Sequence, residues 1–260
     1  MSVNLIQILP QGIIFAADRN VSDREPVSGV VQGQNESSKI ALVDNRFLVS
    51  YVGAARLGGI DSLEYLVDLI ESHRVGKGLD QIAKAINEEV QQQRIIDDEN
   101  REDGPREQII SFAGFKQREG TMVPEVYYIS NCWTLEKGEY KQVTGEFGCS
   151  DEVRIKSQEA KIPASMLREC LRSMAERNNP FGFQHSVGLE DFVIVDRFIK
   201  TSMDVLAKRN HFVHPESLDQ WTSQARMSVL VYSAFFQRFY PLNQQLVGGG
   251  VDVLTLPWDA

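Results

Sequence analysis

The sequence predicts an α+β fold, a four-layer αββα sandwich in which two antiparallel sheets lie face to face between helical layers. The first observation is the order of the elements, which runs strands, two helices, strands, helices and a last strand. The second is the unbroken apolar run GIIFAA, which is typical of a strand buried on both faces. The third is a pair of amphipathic helical patterns, which supply covering layers for the sheets.

Two predicted hairpins open the chain. Residues 3–8 and 12–17 are apolar runs separated by a Pro-Gln-Gly turn. Residues 39–53 give two more strands joined by an Asp-Asn turn, a dipeptide that tight turns favour. We expect these four strands to form the first sheet. Residues 19–38 lie between the hairpins and are polar, which predicts a loop or a weak edge hairpin.

Helical and strand patterns alternate along the rest of the chain. Apolar residues recur at i, i+3, i+4 and i+7 from Leu63 and again from Leu79, which predicts two helices. The segments IISFAGFK, EVYYIS and YKQVTGEF then predict three strands. Further helices are expected over residues 164–176, 189–208 and 217–239, and a Gly triplet introduces the last predicted strand, VDVLTL.

The length fits one domain over residues 1–260, with an enlarged helical region at 156–240. The apolar fraction of 42% is enough for a sizeable core. A net charge of −9 argues against a nucleic-acid partner, because phosphate binding needs clustered positive charge. The sequence contains neither an 18-residue apolar stretch nor a signal peptide, so we expect no membrane association. Three widely spaced cysteines indicate reduced thiols and a cytoplasmic protein.

Metal and cofactor chemistry has little support in the sequence. His211 and His214 have a metal-like spacing, but no paired His or Cys elsewhere completes a ligand set. Cys149 as a thiol nucleophile with His185 as its base is a second weak candidate. We therefore predict no metal and no cofactor.

The first residues suggest a different chemistry. If Met1 is removed, Ser2 becomes the terminal residue and carries both a hydroxyl and a free α-amine. An α-amino group titrates at about 7.7–8.0, so part of it is a neutral base near neutral pH. Such a base can accept the proton of a hydroxyl nucleophile.

The stretch GIIFAAD, followed by SKIALV and FLVSYVGAA before an amphipathic helix, resembles the proteasome β subunits of the N-terminal-nucleophile (Ntn) hydrolases. The resemblance extends loosely to about residue 155. It implies that Ser2 is the nucleophile, that Asp18 and Lys39 form the supporting charge pair, and that the Gly53 N–H serves the oxyanion. It also implies a further active-site serine, for which we choose Ser150.

The sequence departs from the family pattern at several positions. Ser2 stands where proteasome subunits have Thr, and Gln244 and Val247 stand where the family has an Asp and a Ser. A one-residue slip in the alignment would put Asp151 or Cys149 in the place of Ser150.

Two functions follow from the resemblance. The preferred one is cleavage of a peptide or small amide bond by Ser2, through an acyl-enzyme that water then releases. The alternative is a non-catalytic structural or interaction subunit that kept the fold. Either protein is expected to assemble with copies of itself, a ring being one form of such an assembly.

Overall fold

The computed structural model describes residues 3–24, 31–98, 106–136, 139–142, 146–176, 183–187, 215–239 and 248–258, and also Arg197, Thr201, Ser202 and Val205. The strands are β1 Asn4–Leu9, β2 Gly12–Asp18, β3 Asn20–Arg24, β4 Val31–Glu36, β5 Ile40–Val43, β6 Phe47–Gly53, β7 Arg56–Leu57, β8 Ile60–Asp61, β9 Gln108–Arg118, β10 Thr121–Ser130, β11 Trp133–Glu136, β12 Glu139–Gln142, β13 Gly148–Asp151, β14 Phe183–Val187 and β15 Val251–Pro257. The helices are α1 Ser62–His73, α2 Leu79–Asp98, α3 Glu152–Glu159, α4 Leu167–Glu176 and α5 Leu218–Phe239, with a 3₁₀ turn at Ala164–Met166.

Within the described residues, the strands form two large antiparallel sheets and three small hairpins. The four-stranded sheet has the order β14-β1-β2-β15, and the five-stranded sheet has the order β13-β10-β9-β6-β5. The prediction that the first four strands make one sheet is wrong, because β1 and β2 lie in the first sheet while β5 and β6 lie in the second. Each hairpin forms locally, but strands elsewhere in the chain decide which sheet it joins.

Strand β2 shows why its sequence is apolar throughout. All seven residues of GIIFAAD are buried. Ile13, Phe15 and Ala17 belong to one hydrophobic cluster, whereas Ile14 and Ala16 belong to another. Successive side chains of a strand point to opposite faces, so β2 is covered on both sides.

Three hydrophobic clusters in the described part of the chain connect the elements. The first joins residues of both large sheets, among them Phe15 of β2 and Leu48 of β6. The second joins the five-stranded sheet to α1 and α2, and the third joins the four-stranded sheet to α5 through Trp221. The protein is therefore a mixed α and β structure whose antiparallel sheets carry helices.

Local signals fix the ends of several elements. Asp44 and Asn45 have φ of 54° and 50°, as expected for the predicted tight turn between β5 and β6. The Asp61 carboxylate accepts hydrogen bonds from the backbone N–H groups of Leu63 and Glu64, and so caps α1. None of the helices in the described ranges is both long and apolar enough to cross a bilayer.

The second half of the chain departs from its predicted elements. Helices α4 and α5 fall where helices were expected, but β14 was not predicted and lies inside the region expected to be helical, where it pairs with β1. Its sequence, FQHSV, is mostly polar and lacks the apolar pattern of an interior strand. Of the helix predicted at 189–208, only four residues are described, and each is helical.

Candidate functional site

A buried ion pair lies where β2 ends and β5 begins. Asp18 is the last residue of β2, and Lys39 directly precedes β5. The Lys39 Nζ donates to Asp18 Oδ2 at 3.0 Å, and the side chains are 1% and 0% exposed. Taking two charges out of water is costly, so such pairs persist only when further hydrogen bonds complete them.

The amino terminus supplies one of those further bonds. The Val3 backbone N–H donates to Asp18 Oδ1 at 2.8 Å, and the Asp18 N–H donates to the Val3 carbonyl at 3.2 Å. The Gly248 N–H lies 3.4 Å from Asp18 Oδ2. Asp18 therefore binds Lys39 and the backbone at residue 3 with its two oxygens. Ser2, the predicted nucleophile, lies outside the described residues.

The protonation of Lys39 reflects two opposed effects. Burial lowers the pKa of the Lys39 ammonium, because a low-dielectric surrounding disfavours the charged form. The Asp18 carboxylate opposes this by charge and by hydrogen bonding. The outcome is a pKa of the Lys39 ammonium below that of an ordinary lysine.

Gly53 ends β6 and pairs with Gln108 of β9. Its φ is +107°, a conformation that side-chain-bearing residues rarely adopt, and a Cβ there would overlap the Glu107 carbonyl oxygen. The position requires glycine. Two residues earlier, the Tyr51 N–H donates to the Lys39 carbonyl at 3.2 Å, which connects the end of β6 to the lysine.

Ser150 lies elsewhere in the five-stranded sheet. It sits on β13, at the edge opposite β5, and pairs with Tyr128 of β10. Four strand spacings separate these edges, roughly 19 Å along the sheet. The structure brings Asp18, Lys39 and the β6 strand of Gly53 together, and it leaves Ser150 on a separate strand. Cys149 and Asp151, the alternatives to Ser150 in the alignment, lie on that same strand.

Sequence reasoning missed several polar groups near this pair. The Asn4 Nδ2 donates to the Tyr51 carbonyl at 3.1 Å, which joins β1 to β6. Gln108 is fully buried opposite Gly53, and neither of its side-chain amide atoms has a hydrogen-bond partner. The signal in the sequence was a Gln directly before the apolar run IISFAGF. Burial raises the pKa of the Tyr51 hydroxyl, and Asp61 and Asp18 raise it further.

The weaker candidates gain little support. Neighbouring atoms desolvate the Cys149 thiol and raise its pKa to about 11, although the residue as a whole is exposed. The higher pKa disfavours the reactive thiolate. His185 is on β14, opposite Ile6 of β1. His211 and His214 lie outside the described residues, and the described part of the chain contains no cluster of three His, Cys, Asp or Glu side chains suited to a metal.

Comparisons with known proteins found similar chains among the solved structures. No protein-family model matches the sequence. No curated protein matches it either. Similar solved structures include the Anbu (Gly-1) mutant from Hyphomicrobium sp. strain MC1, with 15% identity, a TM-score of 0.48, and coverage of 99% of this chain and 82% of that one.

Two further solved structures are similar over nearly the whole chain. Anbu (ancestral beta-subunit) from Yersinia bercovieri has 12% identity and a TM-score of 0.43, covering 98% of this chain and 82% of that one. The eukaryotic HslV from Trypanosoma brucei has 11% identity and a TM-score of 0.42, covering 98% and 99%. At such identities and TM-scores no conclusion about activity follows.

Proposed function

We propose that this chain is a proteasome-like Ntn hydrolase that cleaves peptide or amide bonds with Ser2 after removal of Met1. The observation that carries the proposal is the 2.8 Å hydrogen bond from the Val3 N–H to Asp18, whose other oxygen binds Lys39. The Val3 nitrogen is covalently bonded to the carbonyl carbon of residue 2. The buried Asp18–Lys39 pair is thus hydrogen-bonded to the residue that directly follows the proposed nucleophile.

The proposal includes the four-layer αββα arrangement. Support comes from the three hydrophobic clusters, which link α1 and α2 to the five-stranded sheet, that sheet to the four-stranded sheet, and the latter to α5. It also treats residues 1–260 as one domain with an enlarged helical region at 156–240.

In the proposed reaction the α-amine of Ser2 accepts the hydroxyl proton while Oγ bonds to the substrate carbonyl carbon. The Gly53 N–H stabilises the resulting oxyanion, and the protonated amine gives its proton to the leaving nitrogen as the C–N bond breaks. Water then attacks the ester, which restores the hydroxyl. The Lys39 ammonium keeps the pKa of the amine low, because like charges disfavour protonation. Ser150 contributes only if substrate binding brings it closer.

The test is intact-mass spectrometry of the purified chain, with and without an electrophile that labels N-terminal nucleophiles. We expect a chain that lacks Met1 and carries one adduct. Ser2→Ala should lose the adduct, whereas Ser223→Ala, which replaces an exposed serine on α5, should keep it. Retention of Met1 would overturn the proposal, because the base would then be absent. Cys149→Ala excludes labelling of that exposed thiol.

The second candidate is a non-catalytic structural or interaction subunit. It is favoured by the separation of Ser150 from the ion pair and by Gln244 and Val247, which replace polar family residues. Such a subunit would lack Met1 or retain it, but would form no adduct under any condition.

Assembly and location belong to the same proposal. We expect a cytoplasmic homo-oligomer, with a ring as one form. Support comes from α5, whose side chains Met227, Leu230 and Val231 are 59%, 41% and 46% exposed on one stripe. Native mass spectrometry should give a multiple of the 29.3 kDa chain mass, and a monomer at every concentration would contradict this part.

A further inference from the structure

A groove runs along the outer edge of β15, where the edges of the two large sheets meet. We call it the edge groove: a cavity of about 640 Å³ lined by residues 250–254, by Arg19, by Ser38 and Ile40 at the start of β5, and by Arg226 of α5. Strand β15 is an end strand of the four-stranded sheet, and β5 is an end strand of the other. The groove is therefore bordered by two strand edges.

The backbone of β15 presents hydrogen-bonding groups to this groove. The Arg19 N–H donates to the Gly250 carbonyl at 2.9 Å, so Gly250 and, by alternation, Asp252 and Leu254 pair with the chain of β2. The backbone N–H and C=O groups of the residues between them, Val251 and Val253, point away from β2. Arg226 Nη1 donates to the Val251 carbonyl at 2.9 Å, which is in agreement with this direction.

Val253 is the next residue to face outward, and its N–H and C=O have no strand beside them within the described residues. An edge of this kind is a template for pairing with an extended segment, in the manner of peptide-binding sheets.

The charged side chains that line the groove indicate which kind of peptide would bind there. Two guanidinium groups, from Arg19 and Arg226, line it against a single carboxylate, that of Asp252. The Arg19 Nε has no hydrogen-bond partner although the atom is buried, and Asp252 Oδ2 is 3.7 Å away. Glu36 is not among the lining residues, although its carboxylate lies close to Gly250 on the side of the Arg19 side chain. An excess of positive charge in a chain of net charge −9 fits a carboxylate ligand.

We propose that the edge groove binds an extended peptide bearing a carboxylate, with the peptide backbone paired to Val253 and the carboxylate bound by Arg19 and Arg226. The site needs no chemistry at Ser2. It nevertheless adjoins the candidate site along the chain, since Arg19 follows Asp18 and since Ser38 and Ile40 flank Lys39.

The test measures binding of a short fluorescent peptide of alternating Thr and Val to the full chain carrying Ser2→Ala, so that cleavage cannot intervene. Three forms are compared: a central Glu with an amidated carboxyl terminus, a central Gln with the same amide, and a central Gln with a free terminal carboxylate. We expect the amidated Gln form to bind about tenfold more weakly than at least one carboxylate form, because one charge-assisted contact is lost. The stronger of the two carboxylate forms identifies the source of the carboxylate.

Three variants connect binding to the groove. Arg226→Gln should remove the preference for the carboxylate and leave the amidated Gln peptide unaffected. Val253→Pro deletes an outward N–H inside the groove and should abolish binding, whereas Thr255→Pro deletes the next outward N–H, beyond the lining residues, and should not. Circular dichroism establishes that both proline variants are folded.

Several results would overturn the proposal. They are equal binding of all three peptides, no binding of any of them at millimolar concentration, or equal effects of the two proline changes. If Val253→Pro instead lowers the native mass of the protein and no peptide binds, the edge joins copies of this chain. Because the Ser2→Ala background is used throughout, failure here leaves the adduct experiment unaffected, and failure of the adduct experiment leaves this one intact.

Discussion

Lys39 is a charged side chain with 1% of its surface exposed, and Asp18 is its counter-ion. Replacing Lys39 by Met leaves the buried Asp18 carboxylate without its cation, and the loss of one partner of a buried pair destabilises proteins by about 3–5 kcal/mol. We expect Lys39→Met to lower the free energy of unfolding by that amount in urea titrations, and to abolish the Ser2 adduct.

Lys116 provides the matched control for this change. It pairs with Asp80 at 3.3 Å, but the two side chains are 35% and 52% exposed. Exposed pairs contribute about 0–1 kcal/mol, so Lys116→Met should leave both stability and adduct formation nearly unchanged. Equal losses of stability and of adduct formation for the two variants would show that the buried Asp18–Lys39 pair contributes no more than an exposed pair.

Gly53 is constrained by both conformation and space. Gly53→Ala adds strain at φ +107° and an overlap with the Glu107 carbonyl, together about 2–5 kcal/mol. Gly59 separates the two causes, because its φ is +82° and an added methyl group there would meet no atom within 4 Å. We expect Gly59→Ala to cost only about 1–2 kcal/mol in urea unfolding. A Gly53→Ala protein as stable as wild type would contradict the site geometry.

At the scale of elements, local patterns predicted what depends on local sequence. The strand β2 and its terminal Asp18 follow from an apolar run that ends in a charge, and α1 and α2 follow from their 3.6-residue period. The ion pair itself was predicted only because the family resemblance named Asp18 and Lys39. The structure supplies the geometry that the resemblance lacked.

Long-range pairing accounts for what was not predicted. Strand β14 is mostly polar, and it is a strand because β1 pairs with it from nearly 180 positions away. The remote position of Ser150 follows from strand order, with β10, β9 and β6 placed between β13 and β5. Neither the β1–β14 pairing nor the strand order can be predicted from residues that are neighbours in the sequence.

Strands β9, β10 and β13 share a buried charge cluster that makes stability depend on pH. Arg118 pairs with both Glu125 and Asp151, and the Asp151 Oδ1 accepts the Arg154 N–H at 2.9 Å. Burial, aided by the nearby Glu125 carboxylate, raises the pKa of Asp151 to about 7. The folded protein therefore holds a proton between about pH 4 and 7 that the unfolded chain has lost.

Since the folded state binds more protons in this range, stability contributed by Asp151 falls as the pH rises toward 7 and is constant above it. The slope can reach about 1.4 kcal/mol per pH unit. Urea unfolding at several values between pH 5 and 8 should show this fall in the wild type and a flatter profile in Asp151→Asn. Identical slopes for the two proteins would assign the pH dependence to other groups.

At the scale of the whole molecule, the two sheets share one hydrophobic cluster, and this predicts that the layers unfold together. Leu48 is fully buried in that cluster, so Leu48→Ala should cost about 2–5 kcal/mol. Trp221 lies in a different cluster, between the four-stranded sheet and α5. In a background with Trp133→Phe and Trp258→Phe, its fluorescence reports on that layer alone.

If the layers form one cooperative unit, Leu48→Ala lowers the urea midpoint of Trp221 fluorescence as much as that of far-UV circular dichroism. Val75→Ala, at a position 85% exposed between α1 and α2, should leave both midpoints within the error of wild type. A Trp221 transition that stays in place while the circular dichroism transition moves would mean that α5 and its sheet unfold independently. The Asp18–Lys39 pair would then connect two separately stable units, because Asp18 belongs to one sheet and Lys39 precedes an edge strand of the other.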